Sequence, residues 1–177
     1  MELYFKDNFF SSGKSPILEA SGLPTGTLDL KHMLSSSLSV LDNSGRKVCS
    51  GSFRFLSLGR KWEVTDSQGN MLGVLRPRFT LLAKKYEYDA GRRGLFHIES
   101  PLLSKQYTIR DASGALAAEF RQVNGWLQSG AFRLSCDSPL LDGFELIAVV
   151  MGVHEFQRRN HMTGSTTESQ TYTPNQF

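Results

Sequence analysis

From Asp142 to Phe156 the chain carries its most apolar run, with Leu146, Ile147, Ala148, Val149, Val150 and Met151 in unbroken succession. A helix that is apolar on every side must be buried. A bilayer span takes about 20 apolar residues, and runs of roughly 10–14 more often lie inside a protein core. No transmembrane span is therefore expected. The run follows a long stretch that alternates like β-strands, so the sequence predicts a β-rich shell wrapped around one apolar helix near its C-terminal end.

Asp142 is placed to cap that helix, because its carboxylate can accept from the first free amides. Between Asp142 and Gln157 the helix would be about 24 Å long at 1.5 Å per residue, close to the roughly 23 Å of a seven-residue strand. A buried strand is the competing assignment, since Val149, Val150 and Val153 are mediocre helix formers. The cap, the length and Gly152, which close packing tolerates, favour helix. A sheet closed on itself would hide its own edges and the helix together.

Turn-like groups recur at Asp42 to Gly45, Asp66 to Gly69, Asp89 to Gly91 and Asp111 to Gly114, with the aspartates 24, 23 and 22 residues apart. Asp starts turns by accepting from nearby backbone amides, and Gly supplies positive φ. Alternating or aromatic-rich strands flank each group, with Trp62 and Val64, Tyr86 and Tyr88, and Tyr107 and Ile109 ahead of three of them. A period near 23 residues is two strands and two turns. The Asp/Gly tips then share one end of an antiparallel meander, and the opposite turns fall near Leu58 to Arg60, Phe79 to Leu81, Ser100 to Leu102 and Asn124 to Gly125. The first thirty residues, punctuated by Gly13, Pro16, Gly22, Pro24 and Gly26, read as loops with one or two strands. Beyond Gln157 the chain turns polar and reads as a disordered tail over 158–177, which leaves 1–157 as a single domain.

Cys49 and Cys136 fit no metal or redox spacing and sit in strand-like runs, where cysteine behaves as a small hydrophobe. The first residues lack a basic segment followed by an apolar one. A cytoplasmic location, at most peripheral to a membrane, is the expectation. From Arg54 to Arg110, eleven Lys or Arg stand against five Asp or Glu, in a chain whose net charge is only +3. Arg60, Lys61, Arg76, Arg78, Lys84, Lys85 and Lys105 flank the turns opposite the Asp/Gly tips, and a descending helix would deliver Arg158 and Arg159 to the same rim. Such a rim could contact anionic lipid head groups or a protein partner. The bland alternative is a solvated rim that keeps turns and strand edges soluble, partly neutralised by Glu63, Glu87 and Glu99.

The group Trp62-Glu63-Val64-Thr65-Asp66-Ser67-Gln68-Gly69, followed by further hairpins and the apolar Asp142 to Phe156 segment, resembles the tubby C-terminal-like superfamily, and within it the LURP-one-related proteins. The likeness covers about Leu38 to Gln157 and extends to the N-terminal piece. It implies a closed antiparallel β-barrel of about 12 strands around a central hydrophobic C-terminal helix. Relatives of that fold include phosphoinositide-binding tubby proteins and phospholipid scramblases. This sequence has neither a Cys-rich palmitoylation segment nor an acidic calcium-binding loop of the scramblase kind.

Catalytic and cofactor motifs are incomplete. Gly13-Lys14-Ser15 ends like a phosphate loop, but Asn8 replaces its first glycine and Pro16 discourages the helix that should follow. His154-Glu155 begins like a zinc-protease helix, but Arg158 stands where the second histidine belongs. His161 lies seven residues on, and His32 and His97 have no ligand-type neighbours. Neither a nucleophile elbow nor a dinucleotide fingerprint is present, and Ser35 to Ser37 have no partner base. The sequence predicts a non-enzymatic binding or interaction module with no cofactor and no metal, for which nucleic acid is an unlikely partner. Scramblase-like activity is the alternative.

Overall fold

The computed structural model describes residues 1–6, 13–30, 37–54, 61–78, 84–100, 106–123 and 131–164, with side chains through Arg159. Twelve strands close into one antiparallel barrel: β1 (Glu2–Lys6), β2 (Gly13–Glu19), β3 (Pro24–Leu30), β4 (Ser37–Asp42), β5 (Lys47–Phe53), β6 (Trp62–Asp66), β7 (Met71–Arg78), β8 (Lys84–Asp89), β9 (Leu95–Ser100), β10 (Tyr107–Asp111), β11 (Leu116–Val123) and β12 (Ala131–Cys136). Each strand pairs with its neighbours in sequence, and β1 closes the circle by pairing with β12 as well as β2. Helix α1 (Gly143–Gly164) enters where the Asp/Gly turns lie and runs to the other end. The closed barrel on a C-terminal helix is the architecture the sequence predicts.

Inward positions follow a period of two along most strands, with Ser39 on β4, Ala117 on β11 and Ala131 on β12 buried out of phase. Leu3, Phe5, Ile17, Leu28, Val40, Trp62, Val64, Leu75, Tyr88, Phe96, Ile98, Ile109, Phe120, Phe132 and Leu134 all face in and are buried. On the helix, Leu146 through Met151 are each at most 4% exposed. Six successive residues cover every direction around a helix of 3.6 residues per turn, so α1 is enclosed on all sides. Asp142 caps it, its Oδ1 accepting from the amides of Phe144 at 2.8 Å and Glu145 at 3.3 Å. Replacing such a cap by Ala typically costs about 1 kcal/mol.

Three turns repeat one design. The Oδ1 of Asp42 accepts from the amides of Ser44 and Arg46 at 2.8 and 3.0 Å, that of Asp66 from Gln68 and Asn70 at 2.8 Å each, and that of Asp111 from Ser113 and Ala115 at 2.9 and 3.0 Å. The glycines that follow, Gly45, Gly69 and Gly114, have φ of 75°, 89° and 87°, which a side chain would strain. The Arg46 amide holds the Asp42 carboxyl below its ordinary range, as the Asn70 side chain does for Asp66 and the Ser113 hydroxyl for Asp111. A carboxyl lowered on folding contributes stability that is complete above its unfolded value, near 4, and is lost as pH falls through its folded value. The triple substitution Asp42→Asn, Asp66→Asn and Asp111→Asn should therefore flatten the loss of stability below about pH 4. Urea midpoints measured across that window check this, and parallel curves for variant and wild type would contradict it.

Two sequence expectations are corrected. The first thirty residues hold three strands, not one or two among loops. Pro24 opens β3, and Pro16 lies past the last rung that joins β2 to β1, Phe5 to Ile17, so neither ring interrupts that ladder. The helix also continues past Gln157 to Gly164, so 158–164 is helix rather than tail. Neither Gly nor Pro intervenes between Gly152 and Gly164, and cations near the end of a helix suit its dipole. The turns expected between Leu58 and Arg60, Phe79 and Leu81, and Asn124 and Gly125 lie outside the described residues, as do Pro101, Leu102 and residues 165–177.

Candidate interaction surface at the helix exit

Of the nine basic residues singled out in the sequence, the seven that the structure describes do not all share one rim. Arg60 and Lys105 lie outside the described residues. Arg76 and Arg78 alternate with inward Leu75 on β7, and Lys85 precedes inward Tyr86 on β8, so all three lie on the outer wall near the helix exit. Lys84 shares the parity of Tyr86 and Tyr88 at the first position of β8, and Lys61 immediately precedes β6. Arg158 and Arg159 arrive on the helix. One end of the barrel thus gathers Lys61, Lys84, Arg158 and Arg159, with Arg76, Arg78 and Lys85 beside it on the wall.

The glutamates expected to neutralise this region do so, strand to strand. Arg78 reaches Glu87 at 3.2 Å, Lys85 reaches Glu99 at 2.6 Å, and Arg54 reaches Glu63 at 3.5 Å. Exposed pairs of this kind contribute about 0–1 kcal/mol to stability. Their larger consequence is to cancel charge on the wall. Lys61 and Lys84 make no ion pair among the described residues.

At the helix exit, Arg158 pairs with Glu155 at 2.6 Å, while the Arg159 guanidinium lies 3.7 Å from the centroid of Phe53. Burial draws Arg159 below the ordinary arginine value. Phe53 meets Trp62 and Phe156 edge to face, both at 5.1 Å, so the cation rests on a packed aromatic column. His154 packs among Tyr107, Phe120 and Phe132, with centroids 5.2, 5.6 and 6.0 Å away. That surrounding is aromatic packing. Ser15 is buried in a strand rather than in a loop before a helix, which disposes of the phosphate-loop motif. His97 is exposed on β9, and His32 and Ser35 to Ser36 lie outside the described residues.

A second cluster, at the turn end, was not read from the sequence. Glu145, 3% exposed, accepts from both guanidinium nitrogens of Arg93 at 2.5 and 2.7 Å and from the Tyr88 hydroxyl. Arg93 also donates to the carbonyls of Leu72 at 2.7 Å and Leu140 at 3.3 Å. Burial and the adjacent Glu145 charge push the Tyr88 hydroxyl far up, and Glu145 raises Arg93. The fourth Asp/Gly group builds this site by departing from the other three: Gly91–Arg93 form a single 3-10 turn that carries Arg93 inward. The available signal was the carboxylate of Glu145 directly before the unbroken apolar run of the helix, since a buried charge requires a partner. Cys49 and Cys136 are buried nearby, and burial pushes the Cys49 thiol up to about 12.

No protein-family model matches this chain, and no curated protein matches it in sequence. Among solved structures, the X-ray structure of a protein from Arabidopsis thaliana matches with a TM-score of 0.60 over 89% of this chain and 91% of that one, at 14% identity. The likeness is one of fold. It places the twelve-stranded barrel on a helix among known architectures, and the chemistry of this chain rests on its own residues.

Proposed function

We propose that this chain is a non-enzymatic binding module of the tubby-like, LURP-one-related kind, whose helix-exit end contacts an anionic membrane surface at the cytoplasmic face. The observation that carries the reading is the difference between the two ends. Asp42, Asp66 and Asp111 hold the turns at one end, while Lys61, Lys84, Arg158 and Arg159 gather at the other. The order of hairpins and helix, with the fold shared by the Arabidopsis protein, supports the family reading. A helix packed on all sides inside the barrel favours binding over a scramblase-like lipid path.

Each basic residue near an anionic surface is worth about 1 kcal/mol, so reversing both Lys61 and Lys84 to Glu should weaken binding roughly 30-fold or more. Reversing Arg78 and Lys85, already paired to Glu87 and Glu99, should cost less. Co-sedimentation with phosphatidylserine-containing vesicles, and with phosphatidylcholine vesicles as control, measures both. Equal and negligible binding to the two vesicle types would remove the lipid reading.

A further inference from the structure

Trp62 on β6 faces Leu75 on β7, so one rung nearer the helix exit Lys61 stands beside Arg76. On the other side of Lys61, the Arg54 amide donates to its carbonyl at 3.1 Å, which sets Arg54 opposite it at the end of β5. Phe53, Trp62 and Leu75 pack into the core, and a period of two therefore turns Arg54, Lys61 and Arg76 outward together. Three cations on adjacent strands share one rung of the outer wall. Residues directly opposite one another stand about 5 Å apart, a distance at which like charges destabilise a sheet.

The acids of this wall relieve that rung only in part. Glu63 reaches Arg54 at 3.5 Å. Glu87 faces Arg76 across the ladder but pairs with Arg78 at 3.2 Å, and Glu99 pairs with Lys85 at 2.6 Å. Asp89 lies further toward the turn end and accepts from the Gly91 amide at 3.0 Å. Lys61 and Arg76 make no ion pair among the described residues. The Nε of Arg76 is closed off from solvent and has no hydrogen-bond acceptor among them either. The wall thus gives this guanidinium no partner of its own.

Arg54, Lys61, Arg76 and Arg78 against Glu63 and Glu87 leave a surplus of two positive charges. A carboxylate would answer one of them. A phosphomonoester carries a charge of about −1.5 to −2 near pH 7 and three acceptor oxygens, which matches the surplus and can meet two neighbouring cations at once.

We infer that the rung of Lys61 and Arg76 binds a phosphomonoester group, carried on a soluble molecule or on a lipid headgroup. The Arg76 guanidinium donates to the ester oxygens as a fork, and the Lys61 ammonium donates from the adjacent strand. Lys61 also belongs to the membrane-facing end proposed above, whereas Arg76 lies on the wall, so the two sites can fail separately.

The test uses the full chain and one headgroup in two forms, glycerol phosphate in solution and phosphatidic acid in vesicles. In a heteronuclear NMR titration, glycerol phosphate should move the amides at Lys61 and Arg76 saturably, and acetate at equal ionic strength should not. Arg76→Gln and Lys61→Gln should each weaken that binding about tenfold, and Arg121→Gln, at an exposed position of β11, should leave it unchanged. A site that requires the lipid would instead bind phosphatidic acid vesicles at least tenfold more tightly than phosphatidylserine vesicles of equal surface charge, a preference that Arg76→Gln abolishes. Either response, dependent on Arg76, supports the site. Neither response, or one that Arg76→Gln leaves intact, overturns it. Binding to phosphatidylserine vesicles without either response would overturn this site and leave the membrane contact standing.

Discussion

Gly152→Ala should destabilise the protein by about 2 kcal/mol, the upper part of the overpacking range less the roughly 1 kcal/mol that Ala gains over Gly in a helix. In an exposed helix the same substitution would stabilise. The sign reverses because a Cβ at Gly152 would lie 2.5 Å from Cδ1 and 2.6 Å from Nε1 of Trp62. The indole has no room to retreat. It is fully buried, its Nε1 donates to the Ala148 carbonyl at 3.1 Å, and Gly51 meets it so closely that a Cβ there would stand 2.5 Å from Cζ2. In a Trp62→Phe background the penalty for Gly152→Ala should largely vanish, since the smaller ring leaves the space open. A double-mutant cycle by urea unfolding measures the coupling, and additive effects would mean that the helix and β6 do not meet at these two residues.

Arg93→Leu should cost about 3–5 kcal/mol, because it leaves the buried Glu145 carboxylate with only the Tyr88 hydroxyl. The double substitution Arg93→Leu with Glu145→Leu should be markedly milder than Arg93→Leu alone, since no charge is then stranded. Tyr88→Phe removes one hydrogen bond to a charged group and should cost about 1.5–3 kcal/mol. Guanidinium-chloride melts of these variants and the wild type decide the matter. A double variant as unstable as the sum of its singles would show that the two residues do not act as a pair. The cluster ties the helix start to the turn between β8 and β9, so its loss should also expose the entry end of the helix to hydrogen exchange before the exit end.

The two sites differ in how legible they are. Trp62 and Gly152 could be placed inside the barrel from alternation and from the apolar run, because both signals are local. The Asp42, Asp66 and Asp111 turns were equally plain, as the carboxylate and the glycine act within five residues of chain. β1 was not, since its five residues become a strand only by pairing with β2 and β12, the latter more than a hundred residues away. The same limit hid Arg93 and Glu145, which meet across 52 positions.

The basic residues illustrate a different limit. Proximity to turns suggested a common rim, but a period of two assigns Arg76, Arg78 and Lys85 to the wall as soon as Leu75 and Tyr86 are known to face in. That parity also aligned them with Glu87 and Glu99 on the neighbouring strands. Charge content was legible in the sequence; which charges remain uncompensated required the register. The helix end was misplaced because polar residues after Gln157 suggested a tail, although nothing in Arg158 or Arg159 stops a helix.

The proposed membrane contact is tested most directly by a single environment-sensitive dye, nitrobenzoxadiazole, attached to Lys61→Cys at the basic end or to Ser67→Cys at the acidic end. Burial raises the native Cys49 and Cys136 thiols, so the introduced cysteine takes the label. On phosphatidylserine-containing vesicles the dye at position 61 should shift to the blue and brighten, and the dye at position 67 should remain as in buffer. A shift at position 67, or none at either position, would contradict the assignment of the membrane-facing end.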